Sequence, residues 1–110
     1  MRLCLVAGTT LALGKNWRGL RSEVPSLTEL PGDIVRRQVR ATTQPMEEPG
    51  NPEHMLQLLD MIACDEVLMF STDYPHWDFD APDRALPKQI PAALRHQIRV
   101  DNAARLYGLA

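Results

Sequence analysis

The residues best suited to chemistry stand close together at positions 71–80, in the sequence STDYPHWDFD. The Asp73 carboxylate can bind a metal ion or act as a general base, and the His76 imidazole can bind a metal ion or carry a proton. Aspartate is also a common turn residue, so Asp73 next to Pro75 is equally suited to capping a turn. From these residue types alone, both the chemical and the structural interpretation of Asp73 stay open.

Neighbouring side chains also admit more than one interpretation. Trp77 and Phe79 either wall a pocket or anchor the segment to the core. Asp78, Asp80 and Asp83 resemble a calcium-binding loop only in composition, because their spacing is wrong and no glycine stands at the required turn. These acidic residues are therefore not predicted to form a calcium site.

The remaining chemistry-bearing residues do not form a recognisable catalytic motif. His54 and His96 fall on predicted helices and are expected to be structural or exposed. The sequence contains no HxH, HExxH, GxSxG or GxGxxG pattern. A catalytic zinc normally has about three protein ligands and an open position, and the residues do not predict such a complete set here.

Two predicted strands place this segment. Residues 39–43 are rich in β-branched side chains, and residues 67–70 form a continuous apolar run typical of a strand buried on both sides of a parallel sheet. The loop at residues 44–49 follows the first strand. Asp73 comes directly after the second strand, at the carboxyl end where α/β folds collect their functional groups.

Helical signals surround the two strands. The sequence predicts helices over residues 34–38, opened near Pro31 or Gly32, from an Asn51 N-cap onward, and over residues 92–100. A separate short last helix is predicted at residues 103–107, capped by Asp101 or Asn102 and ended near Gly108. The order of elements predicts two successive β/α units with parallel strands.

Length and composition exclude several classes. The chain has 110 residues, whereas a complete (β/α)8 barrel needs about 250. A net charge of −2 gives no nucleic-acid surface, and the apolar run at residues 3–13 is shorter than the roughly 20 residues that a membrane span needs. That run is expected to be a buried helix or strand rather than a signal peptide. Cys4 and Cys64 lack CxxC spacing and predict reduced thiols in a cytoplasmic protein.

Four segments carry a family resemblance: KNWRGLR at 15–21, VRATTQPMEEP at 39–49, FSTDYPHWD at 70–78 and NAARLY at 102–107. Together they resemble the amidohydrolase-related family, in particular members like aminocarboxymuconate-semialdehyde decarboxylase. The segment FSTDYPHWD is similar to that family's last-strand motif. The resemblance thus covers residues 15–110 as the C-terminal portion of a barrel domain and leaves residues 1–14 outside it.

The resemblance implies a fold, a metal and a set of roles. The fold is an α/β TIM barrel with one divalent metal, usually zinc, and residues 39–43 and 67–70 are its seventh and eighth strands. Asp73 is the catalytic aspartate, which ligates the metal or holds and deprotonates its water. His76 and Trp77 face a small-molecule substrate. The implied activity is that of a metal-dependent hydrolase or a non-oxidative decarboxylase.

The rest of that fold is missing from the sequence. The family's HxH pair comes from its first strand, and further histidines come from its fifth and sixth strands. With about two β/α units of an incomplete barrel, the chain is expected to be inactive alone, to hold no metal alone and to self-associate through exposed strand edges. The alternatives are a non-enzymatic domain that docks onto the rest of a split barrel, or the remnant of a truncated gene.

Overall fold

The described residues form a small parallel sheet and the helices that surround it. The structure is a computed structural model that describes residues 3–44, 46 and 48–109, with side chains from residue 11 onward. Met1, Arg2, Pro45, Glu47 and Ala110 lie outside the described residues, and so does part of the predicted loop at 44–49. The elements in chain order are α1 (Leu3–Leu20), a 3-10 helix (Arg21–Glu23), α2 (Pro31–Gln38), β1 (Ala41–Thr42), α3 (Pro52–Met61), α4 (Cys64–Val67), β2 (Leu68–Met69), α5 (Ala92–His96), a π-helical segment (Gln97–Asp101) and α6 (Asn102–Tyr107).

The two strands pair in parallel, as the sequence predicts, but each is shorter than predicted. Ala41 lies opposite Leu68 and Thr42 opposite Met69. The expected strands at 39–43 and 67–70 are wrong in length because their outer residues serve other elements. Val39 is the C-cap of α2, and Val67 is the last residue of α4. A β-branched or apolar run therefore predicted where each strand lies but not where it begins and ends.

Helix α3 begins where its local signature predicts. The Asn51 side chain accepts a hydrogen bond from the Glu53 N–H at 3.0 Å, and Pro52 is the first helical residue. The predicted packing face is confirmed, because Met55, Leu59 and Ile62 are buried and Leu58 is partly buried. The core that this face joins consists of Ala41, Met55, Leu59, Ile62, Cys64, Val67, Leu68, Leu86, Ile90 and Ile98.

The N-terminal apolar run is helical and extends further than its apolar residues. Its expected burial is wrong for the side chains that the structure describes, because Leu11 and Leu13 are exposed. Helix α1 continues to Leu20, and the 3-10 helix ends before Pro25, as that proline requires. Among the side chains of α1 that the structure describes, Trp17 is the buried one. The Arg21 guanidinium lies 5.9 Å from the centroid of its ring. Within the part of the chain that the structure describes, no helix combines the length and apolar character needed to cross a membrane.

The predicted break before the last helix is wrong. His96, Gln97, Asp101 and Asn102 all have right-handed helical backbone angles, so α5, the π-helical segment and α6 form one continuous helix, here called the C-terminal helix. Asn102 does not cap a helix, because its side chain faces the sheet: it is 2% exposed and its Nδ2 donates to the Leu68 carbonyl at 2.8 Å. The helix ends at Gly108, as predicted, where φ is +67°.

The C-terminal helix covers the edge of β2 that faces away from β1. Successive residues of a strand point their backbone groups to opposite edges, and Met69 faces β1, since its carbonyl accepts the Thr43 N–H at 2.9 Å. Leu68 and Phe70 therefore face the other edge. There the Phe70 N–H donates to the Ile98 carbonyl at 3.0 Å, and the Leu68 carbonyl accepts from Asn102. The expectation of unpaired edges is thus wrong for these groups of β2.

Two arginines of the C-terminal helix bind the chain at residues 82–87, which precedes the helix. Arg95 donates to the carbonyls of Leu86 and Pro87 at 3.4 and 2.9 Å. Arg99 donates to the Pro82 carbonyl, and its guanidinium lies 5.1 Å from the centroid of the Phe70 ring. The chain between residue 80 and the C-terminal helix is therefore held by hydrogen bonds to its backbone carbonyls as well as by its buried apolar side chains.

Candidate functional site

The segment 71–80, here called the site loop, follows β2 and is attached to the end of β1 by one hydroxyl group. The Thr43 Oγ1 donates to the Ser71 carbonyl at 3.0 Å and accepts from the Ser71 N–H at 2.9 Å. Thr43 is 1% exposed, so these bonds are protected from water. A backbone hydrogen bond joins the two ends of the loop: the Asp80 N–H donates to the Thr72 carbonyl at 3.0 Å.

Asp73 lies where the sequence predicts, just beyond β2, and it takes part in a turn. Its backbone is left-handed, with φ +60°, and its carbonyl accepts the His76 N–H at 2.9 Å. Backbone atoms make this turn, while the carboxylate is directed toward the imidazole: Asp73 Oδ2 lies 3.4 Å from His76 Nδ1. The turn interpretation and a chemical role of the carboxylate are therefore compatible at this residue.

The structure adds Asp78 to this pair. Asp73, His76 and Asp78 each offer one ligand atom, and these three atoms all lie within 4.8 Å of one another. The backbone of Asp78 is held by Gln44, which follows β1 in the chain: the Gln44 Nε2 donates to the Asp78 carbonyl at 2.7 Å. Asp80 and Asp83 are not part of the group. Sequence reasoning missed Asp78 because it compared the acidic residues only with a calcium loop; a D-x-x-H-x-D spacing in one tight loop was the available signal.

The aromatic residues of the site loop have different surroundings. Tyr74 and Phe79 pack edge to face, with ring centroids 5.5 Å apart and an interplanar angle of 88°. This contact lies within the site loop and Phe79 is 45% exposed, so the expectation that Phe79 anchors the segment to the core is wrong. Trp77, which was expected to bind substrate, is 94% exposed. His54 and His96 are exposed on helices, as predicted, and His96 Nε2 lies 3.4 Å from Asp101 Oδ1.

Comparison with known families identifies the class of protein. The sequence matches the amidohydrolase family over residues 7–109, which is nearly the whole chain. This chain belongs to the amidohydrolase family, whose fold is the TIM barrel and whose members generally bind divalent metals. The two parallel strands with their helices are consistent with part of such a barrel. The match begins ahead of Lys15 and overlaps the segment 1–14. No curated protein matches this sequence.

The site loop has donors that fit a divalent metal. Carboxylate oxygen and imidazole nitrogen are normal ligands of zinc and of neighbouring divalent metals, at roughly 2.0–2.2 Å. Two ligands of one ion are therefore at most about 4.4 Å apart, slightly less than the 4.8 Å that bounds this group. The side chains of Asp73 and His76 are 41% and 69% exposed, so they are free to make the small rotation required.

Proposed function

We propose that this chain carries the C-terminal part of a metal-dependent active site, in which Asp73 is a metal ligand and the general base. One observation carries the proposal: in a chain that belongs to the amidohydrolase family, Asp73 stands in the loop that follows the carboxyl end of β2. Active sites of TIM barrels lie at the carboxyl ends of the strands. The metal, zinc by this proposal, supplies a Lewis acid that makes a water molecule more acidic when it is bound.

The arrangement of Asp73 and His76 supports a path for the proton. In a hydrolysis the Asp73 carboxylate accepts a proton from the attacking water. In a non-oxidative decarboxylation it takes a proton from water and passes it to the substrate carbon as the bond to the departing CO2 breaks. His76 Nδ1, at 3.4 Å from Asp73 Oδ2, is placed to share that proton and to release it toward solvent. His76 and Trp77 bind the small-molecule substrate by this proposal, because both project from the site loop and remain exposed.

The site requires strands that the described residues do not contain. A barrel has eight strands, whereas the described part of this chain has a sheet of two. By this proposal the family's other histidine ligands come from the rest of a barrel, the chain alone has no turnover, and the enzyme works in the cytoplasm. Self-association is proposed only for the outer edge of β1, since the outer edge of β2 is covered by the C-terminal helix.

A second candidate function is docking onto the rest of a split barrel without a catalytic role. Large apolar side chains exposed on several helices favour it, since such side chains normally pack against neighbours. Those on described helices are Leu11, Leu13, Leu20, Leu56, Met61, Val100, Leu106 and Tyr107. Both candidates place this chain against a barrel, and they differ in whether Asp73 is needed after docking.

Complementation tests the catalytic proposal. An amidohydrolase barrel without its last two β/α units is co-expressed with this chain, and turnover is measured on that barrel's substrate. We expect the wild-type chain to restore turnover and Asp73→Asn to lower it by about 10²–10⁴-fold, the usual contribution of a general base. Co-purification of the two chains shows that docking is intact.

The matched control is Asp83→Asn, since Asp83 is an exposed aspartate outside the ligand group. It should restore turnover as well as the wild-type chain does. Equal rescue by Asp73→Asn would remove Asp73 from the mechanism and favour the docking function.

A further inference from the structure

The group formed by Asp73, His76 and Asp78 differs from the metal site that the resemblance implies. That site takes one aspartate from this chain and its histidines from other strands. Here three ligand atoms come from six consecutive residues and already lie within 4.8 Å of one another. We propose that in the isolated chain, against the expectation that it holds no metal alone, the site loop is itself a divalent-metal site, with Asp73, His76 and Asp78 as its three protein ligands. The inference rests on the proposed function, because it concerns the same Asp73 carboxylate.

Backbone hydrogen bonds hold the three donors near one another before any metal binds. The turn from Asp73 to His76 is closed at 2.9 Å, and the Phe79 N–H donates to the His76 carbonyl at 3.2 Å. Gln44 holds the carbonyl of Asp78 from outside the loop. Metal binding therefore orders exposed side chains on a backbone that is already shaped, which lowers the conformational entropy lost on binding.

The number of ligands suits a metal ion that keeps open positions. Three protein ligands with at least one position left for water is the arrangement of catalytic rather than structural zinc sites. The His76 side chain is largely exposed and that of Asp73 is partly exposed, so water can reach the remaining positions. Because none of the three ligands is a thiolate, the closed structural type of zinc site with several cysteines does not apply.

The donor types also predict which metal ions bind. Imidazole favours Zn²⁺, Co²⁺, Ni²⁺ and Cu²⁺, whereas Mg²⁺ and Ca²⁺ prefer all-oxygen sites. The loop should thus bind Zn²⁺ and Co²⁺ and should not bind Mg²⁺ in competition with them. An all-oxygen site made by the acidic residues alone would show the opposite preference.

Titration of the isolated 110-residue chain tests the inference without any enzymatic activity. The chain is treated with a chelator, and Zn²⁺ binding is followed by calorimetry and Co²⁺ binding by its visible absorption spectrum. We expect one ion per chain, no displacement by a large excess of Mg²⁺, and a loss of about tenfold or more in affinity for each of Asp73→Asn, His76→Gln and Asp78→Asn. Far-UV circular dichroism verifies that each variant keeps its helices.

His96 provides a matched control. Its Nε2 lies 3.4 Å from Asp101 Oδ1, the same separation as in the His76–Asp73 pair, but neither residue belongs to the group of three. His96→Gln should therefore leave the affinity unchanged. If it lowers the affinity as much as His76→Gln does, or if the isolated chain binds neither Zn²⁺ nor Co²⁺, the inference is overturned.

The titration and the complementation assay test separate claims, so either claim can fail while the other stands. A chain that restores turnover through Asp73 but binds no metal alone would overturn the three-ligand site and leave the proposed function standing. A chain that binds metal through all three residues but restores no turnover would do the reverse.

Discussion

The Thr43 hydroxyl extends the sheet where the backbone ladder stops. The Thr43 N–H makes the last backbone bond to Met69, and the side chain of the same residue then bonds both the N–H and the carbonyl of Ser71. One side chain thereby does what the next residue of a strand would do. The position of the site loop, and of Asp73 within it, depends on this hydroxyl.

Thr43→Val removes the hydroxyl at nearly constant shape. We expect a loss of about 1–3 kcal/mol in the free energy of unfolding, because two backbone groups of Ser71 lose their partner in a protected place. Urea unfolding of the isolated chain measures it. Thr42→Val is the control, since Thr42 is exposed and its hydroxyl donates to the Gln44 carbonyl at 3.3 Å. Equal losses for the two variants would contradict the role given to Thr43.

Part of the candidate site could be proposed from the sequence because the residues concerned are close together in the chain. Asp73 and His76 were identified from residue type and from their place after an apolar run. Asp78 was not, because its contribution depends on how the loop folds back, which brings its carboxylate to the other two donors. The dual role of Thr43 was also hidden, since a threonine in a strand carries no sign that its hydroxyl replaces a backbone bond.

At the scale of elements, the C-terminal helix and β2 depend on each other. Asn102 is buried in the helix, with its Nδ2 bonded to Leu68 and its Oδ1 without a hydrogen-bond partner among the described residues. A buried polar atom of this kind is costly, so the bond made by the other end of the amide has to compensate for it.

Asn102→Leu tests this contact at similar side-chain volume. We expect a loss of about 1–3 kcal/mol in the free energy of unfolding, because the Leu68 carbonyl loses its buried donor. The matched control is Gln97→Met, which removes an exposed hydrogen bond of the same 2.8 Å length, donated by the Gln97 amide to the Asp65 carbonyl. The control should cost about 0.5 kcal/mol or less, since water replaces the lost partner. Similar costs would show that burial of the Asn102 bond is unimportant.

Element boundaries followed from the sequence only where short-range signals set them. The start of α3 was predicted because Asn51, Pro52 and Glu53 determine it locally. The break at Asp101 or Asn102 was wrong, since asparagine is a good capping residue and its bond to Leu68 is a tertiary contact. Strand lengths were overestimated because hydrophobicity does not distinguish the last residue of α4 from the first residue of β2.

At the scale of the whole molecule, the chain is more open than a complete domain of its length. The radius of gyration is 15.4 Å, compared with about 13 Å for a compact domain of this size. The accessible surface is 7520 Å², compared with about 6100 Å² for a folded monomer of this mass. The larger radius and the larger accessible surface support the proposal that this chain packs against the rest of a barrel.

Alkaline pH should destabilise the whole chain through Cys64. This free thiol is 4% exposed among core residues of α3 and α4, and burial raises its pKa to about 11, helped by the nearby Asp65 carboxylate. Because the folded pKa lies above the ordinary value of 9.0, the folded state keeps the proton that the unfolded chain releases. The stabilisation is therefore complete below pH 9 and is lost as the pH rises toward 11.

Comparison with Cys64→Ala measures this contribution. Between pH 8 and about pH 11, the free energy of unfolding of the wild-type chain should fall by about 2–3 kcal/mol more than that of the variant, as expected for the raised pKa. Denaturant unfolding at a series of pH values gives both curves. Parallel curves for the two chains would mean that Cys64 titrates normally in the folded state.

Because the C-terminal helix is hydrogen-bonded to the edge of β2, it affects how this chain would assemble with the rest of a barrel. In a closed barrel, the edge occupied by Ile98 and Asn102 is where the neighbouring strand must form its hydrogen bonds. An incoming strand and the helix therefore compete for the same backbone groups of Leu68 and Phe70. Any substitution that strengthens the helix on that edge should weaken the affinity of this chain for the rest of a barrel, because the helix has to leave the edge before a strand can pair there. A more stable isolated chain is then a poorer partner.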